Sequence, residues 1–415
     1  MTTTATVPPV DSVAPGLRTR AEPGTLGGAI SLRLGIGAVA LIASLVGLFL
    51  GEESAKQFYH SYLVAYMFGL SLVLGAMFFV LIQHLSRAGW SVVVRRLAEN
   101  VMGAMPLMAL LFVPLIFGHG TLYHWVHLSH LAPGDAGYDP VIAGKTGYLN
   151  STFFFVRVAL YFAVWIGIAR WFRKTSIQQD QTGDPALTLK MARVAAPCML
   201  LFALSLTFAA IDWLMSLDPH WFSTIWGVYY FAGSFMSFMA MMALLLMWLR
   251  GKGLMTDTVT TEHFHDVGKL MFAFMVFWTY IAFSQYMLIW YANLPEETLW
   301  YQHHLEGNWN SIGETLMVGH FLVPFAFLMS RHIKRARATL AVGAVFLLLM
   351  HLIDMHWVVM PMLHHHGLHL TWLDFTTVIA VLGLLTGVVL RNVQGASLVP
   401  ERDPRLRESL DFVNH

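Results

Sequence analysis

Ten apolar stretches, each long enough to cross a lipid bilayer as a helix, dominate this chain of 415 residues. Each stretch contains roughly 20 mostly apolar residues, which is the length that a hydrocarbon core about 30 Å thick requires. With 57% apolar and only 12% charged residues, the chain is too poor in charge for an ordinary soluble domain. The pattern predicts an all-α polytopic membrane protein with about ten transmembrane helices. These begin near residues 30, 61, 102, 152, 195, 222, 268, 310, 338 and 370.

The basic residues fall almost entirely on one side of these ten spans. When the connections are counted alternately, 22 of the 25 Lys and Arg residues lie on the same side as the two termini. Only Lys56 and Lys145 lie on the opposite side, and Arg157 lies within a span. Because cytoplasmic connections carry the excess of Lys and Arg, both termini are predicted to be cytoplasmic. The net charge of +1 argues against a nucleic-acid partner and makes the lipid bilayer the expected surroundings.

The spans group as one, four, four and one. Spans two to five (about 61–216) and spans six to nine (about 222–361) each cross the membrane four times. They are therefore predicted to form two four-helix bundles, with the first and last spans as flanking helices. The membrane domain then covers 30–392, between a disordered cytoplasmic tail at 1–29 and a second cytoplasmic tail at 393–415.

Two patterns predict contacts with the membrane surface. In the connection 86–100, apolar residues recur at helical spacing while arginines lie elsewhere, which is typical of an interfacial helix. On the side opposite the termini, Trp and Tyr gather near the ends of the spans, as expected for an aromatic belt. This belt is predicted to include residues 123–125, Trp221, Trp300, Tyr301 and Trp372.

Ionisable residues within the second bundle are the first candidate site. Each costs on the order of 2.5–3.5 kcal/mol at the centre of a membrane, so it is kept for pairing, water or proton traffic. Glu314 and Asp354 each lie 17 residues from the basic end of their span, or about 25 Å at the helical rise. His320 and His351 lie deeper, and His351 shares a helix face with Asp354. These four residues are candidates for a proton pathway; a structural polar network and metal or haem ligation are the alternatives.

The first bundle contains a smaller set of candidates. Arg157 in span four and Asp212 in span five are predicted to form a pair, because pairing neutralises two buried charges. His119, near the outer end of span three, lies in the same layer. Arg157 and Asp212 are further candidates for the proton pathway, and all three residues are candidates for a quinone site. The alternative is a purely structural clamp.

No residue pattern predicts a metal or redox cofactor bound by this chain. The single cysteine, Cys198, excludes a disulfide framework, a Cys-ligated iron–sulfur cluster and CxxCH haem attachment. No two helices carry the paired histidines of a di-haem cytochrome b, and no nucleotide-binding, zinc-peptidase or hydrolase motif occurs. A histidine tract lies in an outer loop and is predicted to face solvent rather than bind metal. It comprises His364, His365, His366 and His369.

Five stretches of the sequence are distinctive as a set. The stretches are SYLVAYMFGLSLVLGAMFFVLIQHL (61–85), AIDWLMSLDPHWFSTIWGVYYFAGS (210–234), GKLMFAF (268–274), FSQYMLIWYANLPEETLWY (283–301) and HLIDMHWVVMP (351–361). Together they resemble the ActF-type subunits of bacterial alternative complex III, a quinol:electron-acceptor oxidoreductase, and through them the NrfD/PsrC-like membrane proteins. The resemblance covers nearly the whole chain from about residue 30 to 390.

The resemblance implies a function and a set of partners. It implies two four-helix bundles plus flanking helices in a bacterial inner membrane, and an accessory rather than catalytic subunit with no redox cofactor of its own. The expected partners are the NrfD-like ActC subunit, an iron–sulfur subunit, cytochrome c subunits and small membrane subunits. Haem c and iron–sulfur clusters would belong to those partners. A menaquinol or ubiquinol would be the electron donor of the complex.

Two other classes of function stay open. A stand-alone secondary transporter would carry matched broken helices in its two halves. Pro106 and Pro114 interrupt span three, whereas span seven, its counterpart in the second bundle, has no proline. A purely structural scaffold subunit, in which every buried charge is part of a structural network, is the third possibility.

Overall fold

The computed structural model describes residues 19–22, 24–365 and 367–414. This part of the chain contains ten helices that are long and apolar enough to cross a membrane, and it contains no strand. The predicted all-α polytopic fold and its ten spans are therefore confirmed. Spans one to ten are Gly27–Phe49, Glu52–Leu85, Val92–Phe117, Ser151–Thr182, Ala186–Leu217, Trp226–Gly251, Thr261–Ala292, Trp309–Leu328, Arg337–Met362 and Trp372–Gln394.

Local capping residues set where the long helices begin and end. The Asn150 side chain accepts a hydrogen bond from the backbone N–H of Phe153 and starts span four. Span seven begins with a capping box built by Thr260 and His263. Gly183 and Asn293, both in the left-handed region, follow the last residues of spans four and seven and end those helices.

The spans form two closed rings of packed helices. Spans two to five contact one another in one ring, and spans six to nine form the other. Spans two and six lie at the centre, where span two packs against spans six and nine. A Cβ atom at Gly75 would lie 2.3 Å from the Ser234 carbonyl oxygen, so only glycine permits this approach. The Tyr230 hydroxyl donates to the Met67 carbonyl oxygen across the same contact, at 2.7 Å.

Spans one and ten pair with each other at the edge of the molecule. A Cβ atom at Gly383 would lie 2.8 Å from the Cα atom of Gly37, so the two backbones touch at this crossing. Two helical turns further, the Ser44 hydroxyl donates to Thr376 Oγ1 at 2.9 Å. Only 17% of the most apolar stretch of span one is buried within the protein. Its position therefore depends on span ten.

The prediction of an interfacial helix at 86–100 is wrong. The helix spans Val92–Met102, leads into span three, and every residue in it is buried. Arg96 is fully buried, and its charge is compensated by Glu99 at 2.9 Å and Asp180 at 2.8 Å. The amphipathic pattern therefore reflects a buried network of ion pairs rather than a membrane surface.

The described residues nearest both ends of the chain fold onto this same network. Arg95 contacts Asp403 of the C-terminal segment at 2.5 Å. Arg20 makes two hydrogen bonds to Glu401, and the Leu398 N–H donates to the Thr19 carbonyl oxygen. Residues 1–18 of the tail predicted to be disordered lie outside the described part. The described part of that tail is structured, since it makes these bonds and enters span one at Gly27.

Most of the predicted aromatic belt is buried inside the protein, which corrects that interpretation. Trp125 and Trp221 are at most 2% exposed. Trp300, on the short helix Pro295–Leu305, stacks on Trp221 with ring centroids 4.9 Å apart. Trp372 alone among these tryptophans is well exposed, at 44%. Trp221 and Trp300 pack at the end of the second bundle that the short helix covers, whereas Trp125 packs against Phe154 of span four.

Candidate functional site

A buried polar cluster lies where the second bundle meets span two. The Tyr229 hydroxyl of span six donates a hydrogen bond to Asp354 Oδ1 of span nine. His351, one turn before Asp354, places its Nδ1 atom 3.7 Å from Asp354 Oδ2. Its Nε2 atom lies 3.1 Å from Ser71 Oγ of span two. All four side chains are buried, so the cluster is enclosed by protein.

His320 extends this cluster towards span seven. It lies in a π-helical segment of span eight, Met317–Leu322, and such segments occur often at functional sites. Its ring stacks on Trp278 with centroids 3.8 Å apart and lies 6.5 Å from the ring of His351. Neither nitrogen of His320 has a hydrogen-bond partner among the described residues. The same is true of His351 Nδ1 and Asp354 Oδ2, so the cluster retains polar atoms that can bind a water or a proton.

Glu314 does not join this cluster. Its side chain is exposed and accepts a hydrogen bond from Asn310 Nδ2 at 3.0 Å. The structure therefore brings together three of the four residues of the candidate proton pathway, His320, His351 and Asp354. It places Glu314 on the wall of a neighbouring cavity.

This cavity has a volume of about 680 Å³ and lies between span seven, span eight and the short helix Pro295–Leu305. Its wall is largely aromatic, and Tyr280, Phe283 and Met317 on its outer side are 59–64% exposed. Tyr229 belongs both to the cavity wall and to the buried cluster. The cavity therefore extends from exposed surface residues to Tyr229, whose hydroxyl donates to Asp354.

Polar groups from the short helix complete the wall. Tyr301 accepts a hydrogen bond from Gln285 Nε2 at 3.3 Å, and burial raises the pKa of Tyr301. Its hydroxyl thus stays protonated and can donate a hydrogen bond into the cavity. Behind the wall, His304 stacks on Trp300, and burial lowers the pKa of His304 to about 3. His304 is therefore neutral at physiological pH and serves packing.

The predicted pair in the first bundle is confirmed. Arg157 donates through Nε to Asp212 Oδ2 at 2.7 Å and through Nη2 to Asp212 Oδ1 at 2.9 Å. The Tyr161 hydroxyl also donates to Asp212 Oδ2, and the third Arg157 bond goes to the Tyr148 carbonyl oxygen. Both charged side chains are buried. The carboxylate of Asp212 thus has a bidentate cation and a hydroxyl donor, which makes this arrangement suited to holding spans four and five together.

His119 takes no part in the hydrogen bonds of that pair in the described structure. Its ring packs against Phe154 and Phe155 with centroids 4.7 and 4.9 Å away. Its Nε2 atom is buried without a hydrogen-bond partner among the described residues. The three residues proposed for a quinone site in the first bundle therefore separate into an ion pair and an aromatic-packed histidine.

The outer histidine loop contributes to structure. His364 Nε2 lies 2.6 Å from Gln57 Oε1, and Gln57 also donates to Asp374. Asp374, which also accepts from the Ser61 hydroxyl at 2.6 Å, is a buried carboxylate that the sequence analysis did not single out. His366 lies outside the described residues. In the described part of the chain, no three His, Cys, Asp or Glu side chains are grouped as metal ligands.

Sequence reasoning also missed the residues that complete the two sites. Tyr229 and Ser71 complete the cluster, and Tyr161 completes the ion pair. The available signal was a hydroxyl group inside an apolar span, because a buried hydroxyl needs a partner. Tyrosine and serine are common in membrane helices, so only the packing of the spans identifies those that face a carboxylate.

The chain was compared with known proteins. No protein-family model matches it, and no curated protein is significantly similar to it.

Proposed function

We propose that this chain is an integral membrane subunit of a quinol-oxidising electron-transfer complex, and that it binds a quinol in the cavity beside Tyr229. The observation that carries the proposal is a cavity rich in aromatic side chains that is open at the protein surface and is lined in part by Tyr229. Its volume of about 680 Å³ falls within the 300–1,000 Å³ of ligand pockets. The ring of a quinol fits between aromatic side chains, and its apolar tail can leave past Tyr280 and Phe283.

The neighbouring groups suit the proton chemistry of a quinol. Oxidation of a quinol to a quinone releases two protons and two electrons. A quinol hydroxyl near Tyr229 can pass a proton through that hydroxyl to Asp354. Onward transfer from Asp354 Oδ2 to His351 Nδ1, which are 3.7 Å apart, requires a bridging water. The two electrons go to an iron–sulfur or haem group in a partner subunit, since none is assigned to this chain.

The proposed setting is a bacterial inner membrane with both termini in the cytoplasm. The resemblance to alternative complex III supports an assembly with an ActC-like subunit, an iron–sulfur subunit, cytochrome c subunits and small membrane subunits. Purification in mild detergent followed by mass spectrometry tests the assembly. We expect haem-containing and iron–sulfur subunits to accompany the chain; a chain that purifies alone and without haem contradicts this part of the proposal.

The quinol site is tested by filling the cavity. Ala282 lines the cavity, so Ala282→Phe places a ring where the quinol would lie. Ala273 lies on the same helix, is exposed, and does not line the cavity, so Ala273→Phe is the matched control. The measurement is the affinity of a short-tailed quinone for the protein in nanodiscs, read from the quenching of tryptophan fluorescence. This affinity is expected to fall at least tenfold in Ala282→Phe. It should stay within about twofold in Ala273→Phe, where the added ring faces lipid.

A second variant tests the polar contact. Tyr229→Phe keeps the ring and removes the hydroxyl, so quinone affinity should fall about 2- to 10-fold, as expected for a lost hydrogen bond. Equal quinone affinity in the unaltered protein, Ala282→Phe and Tyr229→Phe would contradict the site.

The helix breaks do not favour a secondary transporter. Span three is broken into shorter helices at Val92–Met102, Met105–Leu111 and Val113–Phe117, and span eight contains the π segment. Their counterparts in the other bundle, spans seven and four, are continuous helices. The breaks therefore do not match between the two halves, as alternating access by inverted repeats requires.

A further inference from the structure

A second cavity, of about 510 Å³, lies on the basic side of the protein. It is bounded by the end of span two, the beginning of span five and the C-terminal segment. The side chains around it include three arginines and one aspartate, so the wall carries excess positive charge. These are Arg87, Arg95, Arg405 and Asp403.

Two of the three arginines already have acidic partners. Arg95 contacts Asp403 at 2.5 Å, and Arg405 contacts Glu408 at 2.8 Å. Arg87 is exposed and has no ion pair in the described part of the chain. It follows the last turn of span two with a φ of +50°, which is uncommon for arginine, and it lines the cavity. The cavity wall thus presents one uncompensated cation.

Buried polar atoms add a second, independent observation. His84 and Gln83 line the cavity and are only 3% and 6% exposed. His84 Nε2, Gln83 Oε1 and Arg95 Nε have no hydrogen-bond partner among the described residues. Imidazole and guanidinium N–H groups donate hydrogen bonds, and a phosphate oxygen accepts them well. The unpartnered nitrogens of His84 and Arg95 therefore suit an anionic oxygen group, whereas Gln83 Oε1 is an acceptor and does not.

Part of the remaining wall is apolar and is exposed at the protein surface. Ala186, Leu189 and Ala192 on span five line it, and Leu189 is 48% exposed. This part of the wall suits a hydrocarbon chain lying along span five. The cavity therefore combines a phosphate-binding end with an acyl-binding side.

We propose that this cavity binds an anionic phospholipid, with its phosphate at Arg87 and His84 and one acyl chain along Leu189. Basic pockets between membrane helices on the cytoplasmic side are the common form of such sites. The site is separate from the quinol cavity and does not depend on the proposed function.

The test measures lipid binding to the purified full-length protein in a neutral detergent by native mass spectrometry. Arg87→Asn removes the charge and keeps a residue that tolerates the left-handed backbone. Arg331→Asn is the matched control, because Arg331 is an exposed arginine on the same basic side that does not line the cavity. Phosphatidylglycerol is expected to bind Arg87→Asn about fivefold more weakly than the unaltered protein, which corresponds to one basic residue near a membrane surface. Binding to Arg331→Asn should be unchanged.

Further arms separate the lipid from a free anion. Phosphatidylcholine should bind more weakly than phosphatidylglycerol, and inorganic phosphate alone should not compete at millimolar concentration because it lacks the acyl contact. Equal binding of both lipids, equal loss in Arg331→Asn, or displacement of phosphatidylglycerol by inorganic phosphate would each overturn the proposal.

Discussion

Asp212 and Asp354 are both buried aspartates near the ends of their spans, yet their neighbours differ. Asp212 is held by the bidentate guanidinium of Arg157 and by a tyrosine hydroxyl. Asp354 has a tyrosine hydroxyl and a histidine at 3.7 Å, but no arginine or lysine contact in the described structure. Asp212 thus has a permanent cation as its partner, whereas Asp354 accepts from a hydroxyl, lies beside an imidazole and keeps Oδ2 without a hydrogen-bond partner among the described residues. The same residue type therefore suits a structural role in one bundle and proton transfer in the other.

Asp354→Asn tests the proton role. The amide keeps the shape of the side chain and most of its hydrogen bonding but does not titrate. If Asp354 relays protons, the reconstituted complex should still oxidise quinol and should translocate fewer protons per electron. The measurement is the proton-to-electron ratio in proteoliposomes.

Asp354→Leu is the control for a structural role. It leaves the polar partners of Asp354 in the cluster without a hydrogen-bonding group and should impair assembly. A correctly assembled Asp354→Asn complex with an unchanged proton-to-electron ratio would refute the relay and leave the structural network as the role of the cluster.

The ion pair of the first bundle predicts a stability effect. Asp212→Leu leaves the buried guanidinium of Arg157 without its counter-charge, and this should destabilise the protein by about 3–5 kcal/mol. The double variant Arg157→Met/Asp212→Leu should recover most of that loss, because both charges are removed together. The stability of the unaltered protein, Asp212→Leu and the double variant is compared by thermal unfolding in detergent. A double variant as unstable as Asp212→Leu alone would contradict an ion pair as the source of the effect.

Individual elements depend on close contacts that a hydropathy pattern does not show. Span eight was predicted as an ordinary apolar helix, but its π segment carries His320 onto Trp278. Span one is apolar on nearly every side, and the touching backbones of Gly37 and Gly383 determine its neighbour. Both features depend on one or two residues within otherwise regular helices.

Gly383→Leu should separate span one from span ten. A side chain at Gly383 meets the backbone of Gly37, and such overpacking costs about 1–3 kcal/mol. The readout is disulfide formation between Ser44→Cys and Thr376→Cys, whose hydroxyls are 2.9 Å apart, in a Cys198→Ser background. Disulfide yield should fall several-fold.

Gly35→Leu is the matched control for that experiment. Gly35 lies on span one, one turn or less from Gly37, and a Cβ atom there meets nothing within 4 Å. Its disulfide yield should equal that of the parent. An equal fall in both variants would show that general disturbance of span one, rather than the glycine contact, is responsible.

At the scale of the whole molecule, the basic ends of the spans and the described residues nearest both ends of the chain lie in one layer. Arg20 bonds to Glu401, and Arg95 bonds to Asp403. The short helix Pro295–Leu305 and the aromatic cavity belong to the opposite end of the second bundle. The molecule therefore has a charged end, where residues 19–20 contact residues 398–401, and an aromatic end with the candidate quinol site.

Cysteine labelling tests how this molecule is oriented in the membrane. In a Cys198→Ser background, Glu296→Cys near Glu297 should react with a membrane-impermeant reagent added outside intact cells. Arg331→Cys, on the basic side, should react only after the membrane is permeabilised. The reverse pattern would overturn the orientation inferred from the positive charges.

The sequence by itself determined the fold class and the ten spans, since bilayer thickness requires long apolar helices and leaves few alternatives. It also determined that Arg157 and Asp212 would pair, because a lone charge in a membrane core is too costly. Residue spacing placed His351 and Asp354 on one face, which the structure retains. These inferences depend on local pattern and on the solvent, both of which the sequence contains.

Only the tertiary structure decided which spans face each other and what each polar side chain meets. Height along the membrane placed Glu314 level with Asp354, but the rotation of span eight turns Glu314 outward to the cavity. Tyr229 became the link between cavity and cluster because span six packs against span nine. Rotation and neighbour choice arise from side-chain packing between distant segments, and an apolar membrane helix lacks the polar face that would reveal them in its sequence.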